Sequence, residues 1–287
     1  MNLPAHDTGY SATQHLRQAL QERIDQQALE LPVLPDVANQ VLMLAQEETA
    51  NAARLAGLIH RDQALAGHLL RIANSPAYLP RIRIVSLQQA VARLGLKTIA
   101  RIALAVVVKG ELFRVEGHEQ IVRQLWLHAA ASGAWAQEIA RTLRHNVETA
   151  FLSGLLHEIG KPATLHAIAE LESASGIKAG NEHCLALMDE FHARVGELLA
   201  RKWNLPPPVV ESIRCYRDYT AADAFRREAL MVHCADHFAT VLQADDDAVG
   251  TEAGNLPALA ELNLYPEDVE ALLARREQVE QIVEALS

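Results

Sequence analysis

Apolar residues recur along this chain at the spacing of an α-helix from end to end, and that regularity limits its fold more than any other feature. Val37, Val41 and Leu44 fall at i, i+4 and i+7 behind Asp36, a residue type suited to cap a helix. Leu55, Leu58, Ile59, Leu65, Leu69, Leu70 and Ile72 continue the pattern through two short helices that part near Asp62. Ser86 followed by Gln89 reads as a capping box opening a helix that carries Val91 and Leu94 and stops at Gly95. The strongly apolar stretch 96–109 reads as a central helix, and further helices are expected over 119–143, 148–160, 190–203, 207–216, 225–243 and 266–285. No stretch alternates apolar and polar residues convincingly, and only 5% of the residues are aromatic. An all-α fold follows.

Punctuation marks the connections. Asn74-Ser75-Pro76 and the stretch Leu79 to Ile84 read as a loop, and Pro206-Pro207-Pro208 as a rigid helix start. The cluster over 110–118 reads as the boundary between two subdomains, and 243–258, rich in Asp, Gly and Ala, as a surface loop. The 287 residues, half of them hydrophobic, suit one large domain or two modest ones. Cys184, Cys215 and Cys234 are odd in number and contain no CxxC pair, which points to a reducing compartment, and a cytoplasmic location is expected. The N-terminal residues lack the basic start and apolar stretch of a signal peptide. The longest apolar run, Ile102 to Val108, is seven residues, so no membrane span is expected.

Charge is unevenly spread. The formal net charge is −10, which speaks against a protein that coats nucleic acid or an anionic membrane. From Arg71 to Arg114, however, the balance is eight basic residues to one acid, and from Asp218 onward it is four to fifteen. Arg93, Lys97 and Arg101 form a candidate anion or partner patch, lying on one helix face if Gly95 does not interrupt the helix. The stretch 87–104 superficially resembles a helix-turn-helix. Its second helix nevertheless places Arg101 where such a motif packs an apolar side chain, so two core helices joined by a glycine cap are expected and direct DNA binding is not.

The segment FLSGLLHEIGK, 151–161, sets His157 and Glu158 beside each other among apolar helical positions. His128, in LWLHAAASG, and Asp236, in VHCADHFA, also stand on apolar helices. Imidazole nitrogens and carboxylate oxygens are ligands for a divalent metal. Spacing alone, however, favours buried polar residues that tie helices together.

His128, the His157–Glu158 doublet and Asp236 resemble the H…HD…D signature of the HD superfamily of metal-dependent phosphohydrolases, an all-α fold. LPVLPDVANQVLML, LAGLIHRDQALAGHLLRIANSPAY, IVSLQQAVARLGLKTIARIAL, FLSGLLHEIGK and EFHARVGELLARKWNLPPPVVESI resemble, in order, the motifs of the HDOD domain, the HD-related output domain of bacterial signalling proteins. The resemblance spans roughly residues 28 to 240 of the chain. It implies a multi-helix HD-superfamily-like bundle with an N-terminal helical subdomain: an extension over 1–27, an N-terminal half over 28–115, an HD-like half over 116–240, and an acidic loop and C-terminal helix over 241–287.

The resemblance also implies a regulatory output module related to response regulators. A receiver domain is not expected, because the roughly 30 residues before the first motif are far fewer than the ~100 one requires. Glu158 stands where the Asp of the doublet belongs, and Cys215-Tyr216 stands where cyclic-dinucleotide phosphodiesterase relatives carry a histidine pair. His192 and Lys161 match a further histidine of those relatives and the lysine of their HDIGK motif. The expectation is a module that works by contact with signalling proteins, such as a sensor kinase or another regulator. The alternatives are a phosphohydrolase, with His128, His157, Glu158 and Asp236 around a divalent metal and Lys161 on the phosphate, and a non-hydrolytic nucleotide sensor. No cofactor beyond that candidate ion, and no membrane partner, is implied.

Overall fold

Residues 6–47, 50–78, 82–243 and 254–287 are described in a computed structural model, and every regular element among them is helical. The N-terminal helices are α1 (His6–Asp25), α2 (Asp36–Gln46), α3 (Ala52–Ile59), α4 (Gln63–Ala73), α5 (Leu87–Leu94) and α6 (Leu96–Leu112). Their starts follow local chemistry. The side chains of Asn51 and Asp62 accept from the amides of Arg54 (2.9 Å) and Leu65 (3.0 Å), satisfying donors that have no partner within the helix. Asp36 does not cap α2. Pro35 holds that position, and Asp36 adds its negative charge to the first turn, where the helix dipole favours it. Only half of the expected capping box forms. Ser86 Oγ accepts from the Gln89 backbone amide (3.2 Å), while the Gln89 side-chain Oε1 accepts from the amide of Val85 (3.0 Å).

The loop after α4 is tied by Asn74. Its side chain donates to the Leu70 and Ile84 carbonyls and accepts from the Ile84 amide, each at 2.8 Å. Residues 79–81 of the expected loop lie outside the described residues. Gly95 adopts φ +85°, which separates α5 from α6 as expected of a glycine cap. It also removes Arg93 from the face that carries Lys97 and Arg101. α6 is buried along most of its length and packs against α2 and α4, in keeping with a central helix.

The second group of helices comprises α7 (Glu119–Thr142), α8 (Val147–Leu156), α9 (Gly160–Ser175), α10 (Asn181–Lys202), α11 (Pro207–Cys215) and α12 (Arg226–Gln243). α7 presents a run of small residues, Ala129 to Ala134, all buried, and α8 crosses it closely. At Gly154 a side chain would place its Cβ 2.6 Å from the Ser132 carbonyl oxygen. Only glycine allows that approach. The helix expected over 148–160 is in fact two. It ends at Leu156, turns through His157, Glu158 and Ile159, and resumes at Gly160. Gly160 packs directly on the backbone of α10 at His192. α9 extends well past the sequence expectation because its apolar residues are distributed nearly all round, leaving no single-face signal.

The chain closes with α13 (Pro257–Glu261), α14 (Pro266–Leu273) and α15 (Arg276–Leu286). One helix was expected over 266–285, but it breaks at Ala274–Arg275, and residues 244–253 of the expected loop lie outside the described residues. Arg275 at the break reaches α7, where the fully buried Glu138 accepts from Arg275 (2.5 Å), Arg141 and Gln137. No helix among the described residues is long and apolar enough to cross a membrane.

The Gly160 contact makes a stability prediction. Gly160→Ala should destabilise the fold by ~3 kcal/mol or more, because backbone at a helix crossing cannot move aside as a flexible side chain does. Urea unfolding measures this, and a loss below about 1 kcal/mol would contradict the tight crossing.

Candidate metal centre

Two helices and one turn deliver the polar residues. His128 projects from α7, Asp236 from α12, and His157 and Glu158 from the turn between α8 and α9. The α7–α8 crossing places the His128 and His157 rings with centroids 5.7 Å apart. Both aim Nε2 at the same oxygen of Asp236, His128 at 2.8 Å and His157 at 3.1 Å. One ligating atom from each of these three residues lies within 4.8 Å of the others. Residues 108 apart in the chain are thereby joined.

The protonation of His157 follows from its partners. Its Nδ1 faces the Gly154 carbonyl at 2.7 Å, and a carbonyl can only accept, so Nδ1 carries a proton. A neutral His157 would then turn the Nε2 lone pair toward the Asp236 oxygen, which is repulsive. The gap calls for a positive charge, supplied either by a second proton or by a cation. Burial opposes the imidazolium, but Asp236 and Glu158 outweigh it and raise the pKa of His157. Asp236 is likewise held ionised against burial by its bonds to the two histidines, with its carboxyl far below the usual range. A metal ligand needs the same tautomer, with Nδ1–H fixed by a backbone carbonyl and Nε2 free, so His128, His157 and Asp236 fit a divalent ion.

Glu158 does not join them. Its carboxylate accepts from the Tyr216 hydroxyl (2.7 Å) and pairs with Lys161 Nζ (2.6 Å), with Arg217 at 3.6 Å. Burial disfavours its charge, but His157 and Lys161 prevail and hold the carboxyl at about 2. Lys161 and Arg217 are further tied to Asp189, at 3.3 and 3.0 Å, and Arg217 Nε donates to Tyr216 Oη (2.9 Å). His157 packs edge-on against the Tyr216 ring, centroids 4.6 Å apart. His192 lies behind Tyr216, with ring centroids 6.0 Å apart. Burial and the Arg217 charge depress its pKa to about 4, so it is neutral near pH 7, and its Nδ1 has no partner among the described residues. His128, Glu158, Lys161, Tyr216, Arg217 and Asp236 line one cleft of about 480 Å³.

The structure thus brings together His128, His157 and Asp236, with Glu158 and Lys161 alongside in a separate ion pair. Arg93, Lys97 and Arg101 lie apart from this cleft. Arg101 is half-buried on α6, where its guanidinium stacks on Phe151 (4.3 Å) and donates to Gln137. That contact shows how this helix accommodates an arginine at a position where a helix-turn-helix would pack an apolar side chain. Tyr216 was legible only as a missing histidine, and Arg217 and Asp189 gave no sequence signal, since each acts across a long chain separation.

The buried Glu158 charge predicts an acid-dependent loss of stability. A carboxyl held at about 2 in the folded state, against 4.5 ordinarily, binds its proton more weakly folded than unfolded. Its stabilisation is therefore present above the unfolded value and lost as pH falls toward the folded one. Between about pH 5 and about pH 3, metal-free wild type should lose about 2 kcal/mol more than Glu158→Gln. Urea unfolding at both pH values checks this, and equal losses would remove the assignment.

Comparison with known proteins agrees with this architecture. An uncharacterised protein of Treponema pallidum (strain Nichols) is 26% identical over 229 residues, 76% of this chain and 43% of its own length. The chain therefore spans less than half of that curated relative. Among solved structures, a candidate metal-dependent phosphohydrolase from Shewanella amazonensis SB2B superposes with a TM-score of 0.74 at 21% identity, covering 96% of this chain and 100% of that one. An HDOD domain protein of unknown function from Geobacter sulfurreducens gives 0.69 at 22% identity, covering 95% and 96%. A candidate signal transduction protein from Marinobacter aquaeolei VT8 gives 0.64 at 19%, covering 99% and 67%. These likenesses establish an all-α helical fold shared with those proteins. Residues 31–219, well over half of the chain, match the family model of the HDOD domain, and the chain belongs to the HDOD domain family.

Proposed function

We propose that this chain is a regulatory output module of the bacterial signalling type, acting through contact with signalling proteins and not through catalysis. The observation that carries this reading is the closed charge network beside the histidines. A phosphohydrolase cleft needs cations free to meet a phosphate, yet Lys161 pairs with Glu158 and Asp189, and Arg217 with Asp189. Glu158, at the position of the doublet Asp, is engaged by Tyr216 and Lys161. Recruiting it to a metal means breaking a buried ion pair, a cost of roughly 3–5 kcal/mol. The partner expected is another signalling protein, such as a sensor kinase, and the separation of basic and acidic stretches suits a charged partner surface.

One observation favours a second reading, a metal-dependent phosphohydrolase. His128, His157 and Asp236 converge, and His157 has the tautomer that a divalent ion requires. Such an ion, when bound, would polarise a phosphoryl oxygen and lower the pKa of a bound water. In that role His128, His157 and Asp236 would hold it, and Gly154 would fix the His157 ring.

Metal analysis combined with an activity assay separates the two. With Mn²⁺, Mg²⁺ or Fe²⁺ supplied, the regulatory reading expects hydrolysis of bis(p-nitrophenyl) phosphate and of cyclic dinucleotides at the level of His157→Ala. A stoichiometric ion lost in His157→Ala, together with loss of measurable turnover, would establish the phosphohydrolase instead.

A further inference from the structure

A second cleft, of about 700 Å³, opens where α2 and α6 meet α8 and α11, away from the histidine cluster. Its volume falls within the range of small-molecule sites. Leu42, Leu104, Leu152 and Val209, all buried, supply apolar wall, and α6 sets Lys97 and Arg101 one helical turn apart on its lining. Neither cation has a carboxylate partner among the described residues. Lys97 is exposed. Arg101 is half-buried and its guanidinium makes a single hydrogen bond, to the neutral Gln137, while its Nε is buried with no acceptor among the described residues.

An ordinary packing role accounts for the stack on Phe151 but not for the charge. A buried donor left unsatisfied is destabilising, and a partly buried cation without a counter-ion is more so. Two of the buried acids of this fold are paired with cations, Glu138 with Arg141 and Arg275 and Glu158 with Lys161, and a third, Glu172, accepts from the Ala179 amide. The acids of this cleft do not compensate. Glu47 is taken by Arg54 (2.6 Å), and Glu148, in the first turn of α8, forms no ion pair with either cation. Glu148 would repel a second negative group, so a ligand here carries one anionic head.

We infer that this cleft binds a small amphipathic anion, a carboxylate or phosphate monoanion with an apolar body, its head on Arg101 and Lys97 and its body against Leu42, Leu104, Leu152 and Val209. This goes beyond the regulatory reading and stands or falls apart from it, because no residue of the histidine cluster takes part. The shape also suits a module that responds to a signal. A ligand seated there contacts four helices at once, and α8 runs from the cleft directly into the His157–Glu158 turn.

The test uses the whole chain and two dyes of the same apolar build, anionic 8-anilinonaphthalene-1-sulfonate and neutral N-phenyl-1-naphthylamine. The wild-type protein should bind the anionic dye saturably, at one site, and at least about tenfold more tightly than the neutral one, since a charge-assisted contact contributes about 1.5–3 kcal/mol. Lys97→Glu, at an exposed position without a partner, should abolish that preference without lowering the melting temperature, and Arg101→Gln should do the same wherever it folds. Decanoate and decyl phosphate as competitors distinguish a carboxylate head from a phosphate head, and displacement by either supports the site. Equal affinity for the two dyes, a preference unchanged in Lys97→Glu, or displacement by neither competitor at millimolar concentration overturns it. None of these outcomes depends on metal content or hydrolysis, so failure here leaves the regulatory reading standing, and the reverse.

Discussion

The architecture depends on backbone meeting backbone at two helix crossings. Gly154 lets α8 settle on Ser132 of α7, and Gly160 lets α9 settle on His192 of α10. A methyl group at either point would hold the helices apart, and interiors packed at crystal density absorb such a change poorly. Between these two contacts the chain must turn. His157, Glu158 and Ile159 form that turn, so the pair of residues with the most chemistry sits at the place with the least freedom to move. The histidine cluster is a consequence of the crossing: the ring of His157 reaches His128 and Asp236 because α7 and α8 are close enough to let it.

Charge compensation is the second organising constraint. Burying an ion is tolerable when it finds a partner, and three of this protein's buried or part-buried acids are paired in that way. Asp236 lies between two imidazoles, Glu158 between Tyr216 and Lys161, and Glu138 between Arg141 and Arg275. The last of these ties the C-terminal helices to α7 through Arg275, which stands at the break between the two helices that replace the one expected over 266–285. Arg101 departs from the pattern, as a cation carried by a neutral amide and an aromatic ring.

Much of the helical framework was readable from local chemistry. Asp62, Ser86 and Gly95 mark helix ends through interactions spanning a few residues, which a sequence displays directly. The failures share a cause. The single helix expected over 148–160 continued through His157–Ile159 because the apolar pattern does not stop there; what stops it is the Gly154 carbonyl being taken by the His157 ring and Gly160 being pressed on α10. α9 escaped notice because a helix buried on nearly every side has no polar face to give it a period. His128, His157 and Asp236 were legible as candidates by residue type and by likeness to a family signature, whereas the positions of Glu158 and Lys161 relative to them were not.

The sequence by itself determined an all-helical chain, the ends of several of its helices and, through its ordered motifs, its membership of the HDOD domain family, because these rest on periodicity and on contacts within a turn or two. The tertiary structure decided which polar residues meet. Tyr216 lies 58 positions from the Glu158 it holds, and Asp236 lies 79 from His157 and 108 from His128. Contacts at such separations are fixed by how closely helices cross, and that depends on a missing side chain at Gly154 and Gly160 that no periodicity records.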